Sequence, residues 1–70
     1  MKYEELVSLL ADKRKGVYTM NDMAQITGIS RQSLSYFENL KNVSYKILLM
    51  YLCILCTQDE LGDIITNLDI

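Results

Sequence analysis

Two stretches of the chain hold side chains whose types and spacing could do chemistry. Cys53 and Cys56 form a C-x-x-C pair, and Ser30 to Tyr36 is a short run rich in hydrogen-bonding groups. The cysteine pair is the poorer candidate. A structural zinc site takes four nitrogen, sulfur or oxygen ligands, and the chain has no histidine and no other cysteine. A thiol redox site of the thioredoxin kind needs a βαβ setting, which no segment offers. Both cysteines lie in an apolar helical run and read as packing residues, since a free cysteine behaves as a small hydrophobe. Glu4–Glu5 and Asp59–Glu60 are sequence neighbours, so on a helix each pair diverges instead of converging on a substrate. With no glycine-rich phosphate loop and no metal set, the sequence does not read as an enzyme and implies no cofactor.

The elements that must position these groups are all helical. Seventy residues make one small domain with a modest core. Half the residues are apolar, proline is absent and glycine is scarce, which favours a compact helical domain. The periodicity predicts a first helix over Tyr3–Arg14, with Leu6, Leu9, Leu10 and Lys13 on one face and Gly16 as its stop. A second helix is expected over Met20–Thr27, with Thr19 as cap and Asp22 completing a near capping box. A third follows over Arg31–Asn39, capped by Ser30, and a fourth over Tyr45–Cys56, capped by Ser44. The fifth covers Gln58–Asn67, where Thr57 and Glu60 have capping-box spacing. No segment alternates with period two for long enough to argue a strand. The N-terminal residues lack a signal-peptide pattern, and no apolar run approaches the roughly 20 residues that span a bilayer. A cytoplasmic protein with no membrane partner is expected.

Residues 20–37, MNDMAQITGISRQSLSYF, have the layout of a helix-turn-helix, in which the second helix is offered to a DNA groove. Gly28 stands where the backbone needs a positive φ. Ala24 is small enough for the two helices to cross closely, and Met23, Ile26, Ile29, Leu34 and Phe37 would make the apolar wedge between them.

The stretch from Tyr18 to Leu52 resembles the Cro and lambda-repressor type of helix-turn-helix, the XRE family. Met23-Ala24, Gly28-Ile29-Ser30-Arg31, Leu34-Ser35 and Glu38-Asn39 followed by Lys41 carry the resemblance. It implies an all-α, five-helix domain, usually dimeric, that binds double-stranded operator DNA, as in phage and plasmid repressors and antitoxins. It also implies that the bases are read from the third helix, by Arg31, Gln32, Ser33, Ser35 and Tyr36. Gln32 can pair bidentately with adenine, and Arg31 can reach guanine or a phosphate. Asn39 and Lys41 would face the DNA backbone, and the start of the second helix could take a phosphate. The chain departs from the family pattern at Met20, where many members carry a supporting glutamine, and at Leu40, where many carry glycine.

Charge and hydropathy leave two readings open. The chain is acidic, with net charge −2, whereas phosphate neutralisation supplies most non-specific DNA affinity. From Asp12 to Lys46, however, six basic residues stand against three acids. From Ile47 onward there are four acids (Asp59, Glu60, Asp63, Asp69) and no basic residue. Residues 47–56, ILLMYLCILC, are apolar on every face, which demands burial. Leu49, Leu52, Cys53 and Cys56 are expected to face the core. Either the first and fifth helices alone bury the rest of the fourth, or Ile47, Tyr51 and Ile54, with Leu61, Ile64, Ile65 and Leu68 of the fifth helix, meet a second chain, which is the expectation. That chain is a second copy in a DNA-binding repressor. In a protein-binding regulator of the phage antirepressor or anti-CRISPR type, it is a foreign protein such as a repressor or another nucleic-acid-associated protein.

Overall fold

Four of the five helices begin at a hydroxyl side chain that accepts a hydrogen bond from a free N–H of the first turn, and those hydroxyls set the element boundaries. A computed structural model describes residues 1–68, so Asp69 lies outside the described residues. It contains α1 (Tyr3–Val17), α2 (Met20–Thr27), α3 (Arg31–Glu38), α4 (Tyr45–Leu55) and α5 (Gln58–Thr66), with no strand among the described residues. Thr19 and Thr57 form complete capping boxes with Asp22 and Glu60, each threonine accepting from the N3 amide while the carboxylate accepts from the cap amide. Ser30 accepts from the Ser33 N–H and Ser44 from the Ile47 N–H. Each such cap is worth about 1 kcal/mol.

Gly16 does not end α1, which continues to Val17. A single glycine inside a helix costs only about 1 kcal/mol. Here the stop is Tyr18, which turns extended while Arg14 Nη1 donates to its carbonyl at 3.2 Å. The buried face of α1 is also rotated from the expected one. It is made by Leu6, Val7, Leu10, Ala11 and Arg14, with Leu9 half-buried. Lys13 lies at its edge and pairs with Glu60 of α5.

Arg14 is drawn inward by the polar centre of the fold. Its Nε and Nη2 each donate to the Glu38 carboxylate at 2.9 Å, a bidentate pair joining α1 to the end of α3. The Tyr51 hydroxyl of α4 donates to the same carboxylate at 2.6 Å, and its ring meets Phe37 edge to face with centroids 4.9 Å apart. Among the described residues, no buried side-chain nitrogen or oxygen lacks a partner. Burial, and then the hydrogen bond and charge of Glu38, push the Tyr51 phenol well above its ordinary pKa, so it stays a donor. Around this centre pack Leu6, Val7, Leu10, Met23, Leu34, Phe37 and Leu48.

The three-way polar contact fixes how α4 is turned; Leu52 and Cys56 lie on the core side as expected, but Leu49 and Cys53 do not. Ile47, Leu48, Tyr51 and Leu52 face the core, whereas Leu49 is 61% exposed and Cys53 is exposed. Ile47, Tyr51 and Ile64 are therefore core residues and cannot meet a partner chain. Ile54 is half-buried against the same core.

The loop after α3 explains a second departure. Asn39 follows the helix, Leu40 takes φ +61°, and Leu40 N–H and Lys41 N–H return to the carbonyls of Phe37 and Tyr36 at 3.2 and 2.9 Å. This is a Schellman turn with leucine in the left-handed position that glycine ordinarily fills. Leu40→Gly is expected to stabilise the domain by about 0.5–1 kcal/mol, since the left-handed strain of an L-residue exceeds the extra backbone entropy of glycine. Thermal unfolding should show a rise of roughly 4–8 °C per kcal/mol gained, and an unchanged or lower midpoint would contradict the strain.

Candidate nucleic-acid interface

The α2–turn–α3 unit carries the polar face. α2 ends at Gly28, which has φ +72° and donates its N–H to the Ala24 carbonyl at 2.9 Å. The Thr27 hydroxyl closes the turn by donating to the Met23 carbonyl and accepting from the Ile29 N–H. Met23, Leu34 and Phe37 form the buried wedge, with Met20, Ala24 and Ile29 partly buried against it. Ile26 does not join it and is about half exposed, because the core takes the Met20–Ala24–Thr27 side of α2.

With Leu34 and Phe37 pointing inward, α3 turns Arg31, Gln32, Ser33 and Tyr36 to solvent, with Ser35 half-buried between them. Arg31 Nη1 donates to Asn21 Oδ1 of α2 at 2.8 Å. Gln32 Nε2 donates to the Tyr36 hydroxyl at 3.0 Å, and Lys41 Nζ stands 5.5 Å from the centre of the Tyr36 ring. Met20, Arg31, Gln32 and Ser35 line a shallow recess between the two helices. A second recess continues from Met20 past Thr19 and Asp22 to Lys15. Of the sequence-predicted residues, Arg31, Gln32 and Ser35 thus line one recess, and Tyr36 joins Gln32 to Lys41, whereas Ser33 turns to Ser30. Ser33 and Asn39 are partly spent locally. The Ser33 hydroxyl accepts from Ser30, and Asn39 Nδ2 donates to the Ser35 carbonyl, closing α3. The start of α2 is a weaker anion site than expected, since the Asp22 carboxylate already occupies it.

Ion pairing decides which cations remain available. Arg14 is neutralised by Glu38, and Lys13 by Glu60, whose carboxyl is held below its ordinary range by Lys13 and the Thr57 amide. Within residues 12–46 this leaves Lys15, Arg31, Lys41 and Lys46 exposed against Asp12 and Asp22. Arg31 is braced by a neutral amide and not by a carboxylate among the described residues.

A second, apolar surface lies between α4 and α5. Its floor is Leu6, Leu48, Leu52 and Leu61, and Tyr45, Leu49 and Cys53 stand along one wall with Ile65 and Leu68 along the other. Tyr45, Leu49 and Ile65 are 56%, 61% and 65% exposed. Of the fifth-helix residues expected to meet a second chain, Ile65 is exposed, whereas Leu61 and Leu68 are half-buried against the core. Tyr45, Leu49 and Cys53 were not legible as surface-facing in the sequence, because an all-apolar helix carries no amphipathic signal to orient it. Cys53 and Cys56 are both free thiols, and burial pushes Cys56 up in pKa. Among the described residues no group of three or more cysteine, aspartate or glutamate side chains is placed to share a metal, and no helix is long and apolar enough to cross a membrane.

No family model matches the chain, and no curated protein or solved structure matches it either.

Proposed function

We propose that the protein is a sequence-specific DNA-binding regulator of repressor type that acts as a symmetric dimer, with α3 entering the major groove. The observation that carries this reading is the outer face of α3. The exposed Arg31 guanidinium, which has no carboxylate partner among the described residues and donates to the neutral Asn21 amide, stands on the same helix as the exposed Gln32 amide, which donates to the Tyr36 hydroxyl. Arginine and glutamine in that state can make bidentate contacts to guanine and adenine. The resemblance of residues 18–52 to the Cro and lambda-repressor type supports the same reading. Two copies would double the phosphate contacts of a chain with few free cations. Their half-sites would be about 34 Å apart, one helical turn.

The apolar groove between α4 and α5 favours a second reading, in which the domain binds another protein in the manner of a phage antirepressor or an anti-CRISPR protein. The readings separate on one experiment. Duplexes selected by the protein from a randomised pool are titrated with wild type and with the Arg31→Ala, Gln32→Ala double variant. The DNA-binding reading expects each lost base contact to cost about 1–3 kcal/mol, so the double variant weakens binding by roughly a hundredfold or more. Equal affinity of variant and wild type would sink it. No enzymatic activity and no cofactor enter either reading.

A further inference from the structure

We propose that Tyr36 and Asn21 are positioning residues of the reading surface: Tyr36 holds Gln32 through its hydroxyl and Lys41 through its ring, and Asn21 holds Arg31. The inference rests on the DNA-binding reading and goes beyond it by dividing the face of α3 into side chains that contact DNA and side chains that aim them.

Gln32 and Tyr36 are one helical turn apart, where side chains at i and i+4 meet. The Gln32 amide spends one N–H on the Tyr36 hydroxyl and keeps the other N–H and its carbonyl oxygen. Those two groups form the donor–acceptor edge that matches N7 and N6 of adenine. Tyr36 thereby restricts the rotamers of Gln32 while leaving an N–H and the carbonyl oxygen unspent. Long side chains lose about 0.5–1.5 kcal/mol each when immobilised on binding, and a side chain already held loses less.

The same tyrosine reaches the loop after α3. Its ring lies under the Lys41 ammonium, and its carbonyl accepts from the Lys41 N–H at 2.9 Å. Tyr36 thus couples a base-reading group to a cation on the DNA-backbone side. Arg31 is held differently. Asn21 lies on the first turn of α2, so its bond ties the guanidinium across the turn and leaves four of the five N–H donors open. Met20, beside it, has no polar group for this task, and Asn21 takes it one position later.

The two functions of Tyr36 separate by substitution. Sites are first selected from a randomised duplex pool by the wild-type protein, and every base pair of the selected site is then substituted in turn. Tyr36→Phe removes the hydroxyl and keeps the ring. It is expected to lower discrimination at the adenine lost to Gln32→Ala by roughly three- to tenfold, the worth of one hydrogen bond. Its salt slope stays as in wild type, because the ring that holds Lys41 is kept. Tyr36→Ala shows the same loss and also flattens the salt slope, by up to about one per protomer as Lys41 is released. Asn21→Ala lowers discrimination at the site read by Arg31 alone. Helical circular dichroism and melting of each variant confirm an intact fold, which these exposed positions permit. Wild-type discrimination in both Tyr36→Phe and Asn21→Ala overturns the inference and leaves the DNA-binding reading standing. Failure of wild type to select any sequence overturns both.

Discussion

Arg14→Ala is expected to remove a large share of the stability of the domain. The Arg14 and Glu38 side chains are 10% and 6% exposed, so removing the guanidinium strands a carboxylate in the interior. Breaking a buried pair from one side costs about 3–5 kcal/mol. A 70-residue domain has roughly 3.5–10 kcal/mol in total, at 0.05–0.15 kcal/mol per residue. The same change frees the Tyr18 carbonyl that ends α1. The triple variant Arg14→Met, Glu38→Leu, Tyr51→Phe removes all three polar partners together. Apolar replacement of a complete buried set is often neutral or stabilising, so this variant should recover most of the stability. Urea unfolding decides. A loss below about 1 kcal/mol for Arg14→Ala, within the ordinary range of a surface pair, would show that the network does not hold α1, α3 and α4 together.

The second large effect concerns the groove between α4 and α5. If two copies meet through this groove instead of a foreign protein filling it, Leu49→Asp with Ile65→Asp should leave a folded monomer. Both side chains are mainly exposed, so neither charge disturbs the core of an isolated chain. In a dimer each would be buried without a counter-charge, at several kcal/mol apiece, and dimer dissociation should rise at least a thousandfold, about 4 kcal/mol. Affinity for a two-half-site operator should collapse with it, since a monomer keeps half of the phosphate contacts. Sedimentation measures the first effect and duplex titration the second. A variant that remains dimeric would place the self-contact elsewhere. A wild-type protein that is monomeric throughout would favour a foreign protein on the groove.

The contrast between what the sequence reveals and what it conceals follows from where the deciding interaction lies. Helix starts were legible at Thr19, Ser30, Ser44 and Thr57 because a cap is local: the hydroxyl bonds an amide three residues on. The turn at Gly28 was legible for the same reason. The orientation of α4 was not, because hydropathy cannot orient a helix that is apolar all round. What orients it is Tyr51 reaching Glu38, thirteen residues away, and Arg14 reaching the same carboxylate from α1. Within the apolar run 47–56 the Tyr51 hydroxyl was the one such polar group, and its need for a buried partner was the available signal. Asn21 was missed because its contact is made across the turn, ten residues away in sequence, and no helical spacing points to it.

An acidic chain that reads DNA through α3 must do so with few cations, and its binding to DNA must show that number. The most direct test is the salt dependence of wild-type binding to a duplex selected from a randomised pool, followed by fluorescence anisotropy. Lys15, Arg31 and Lys41 are the cations available along the α2–α3 surface, three from each protomer of a dimer. Release of about one counterion per contact predicts a slope of log K against log salt of roughly −5. The selected duplex should be palindromic, with half-site centres about 34 Å apart. A folded wild-type protein that shows no duplex binding even at low salt would contradict DNA reading through α3.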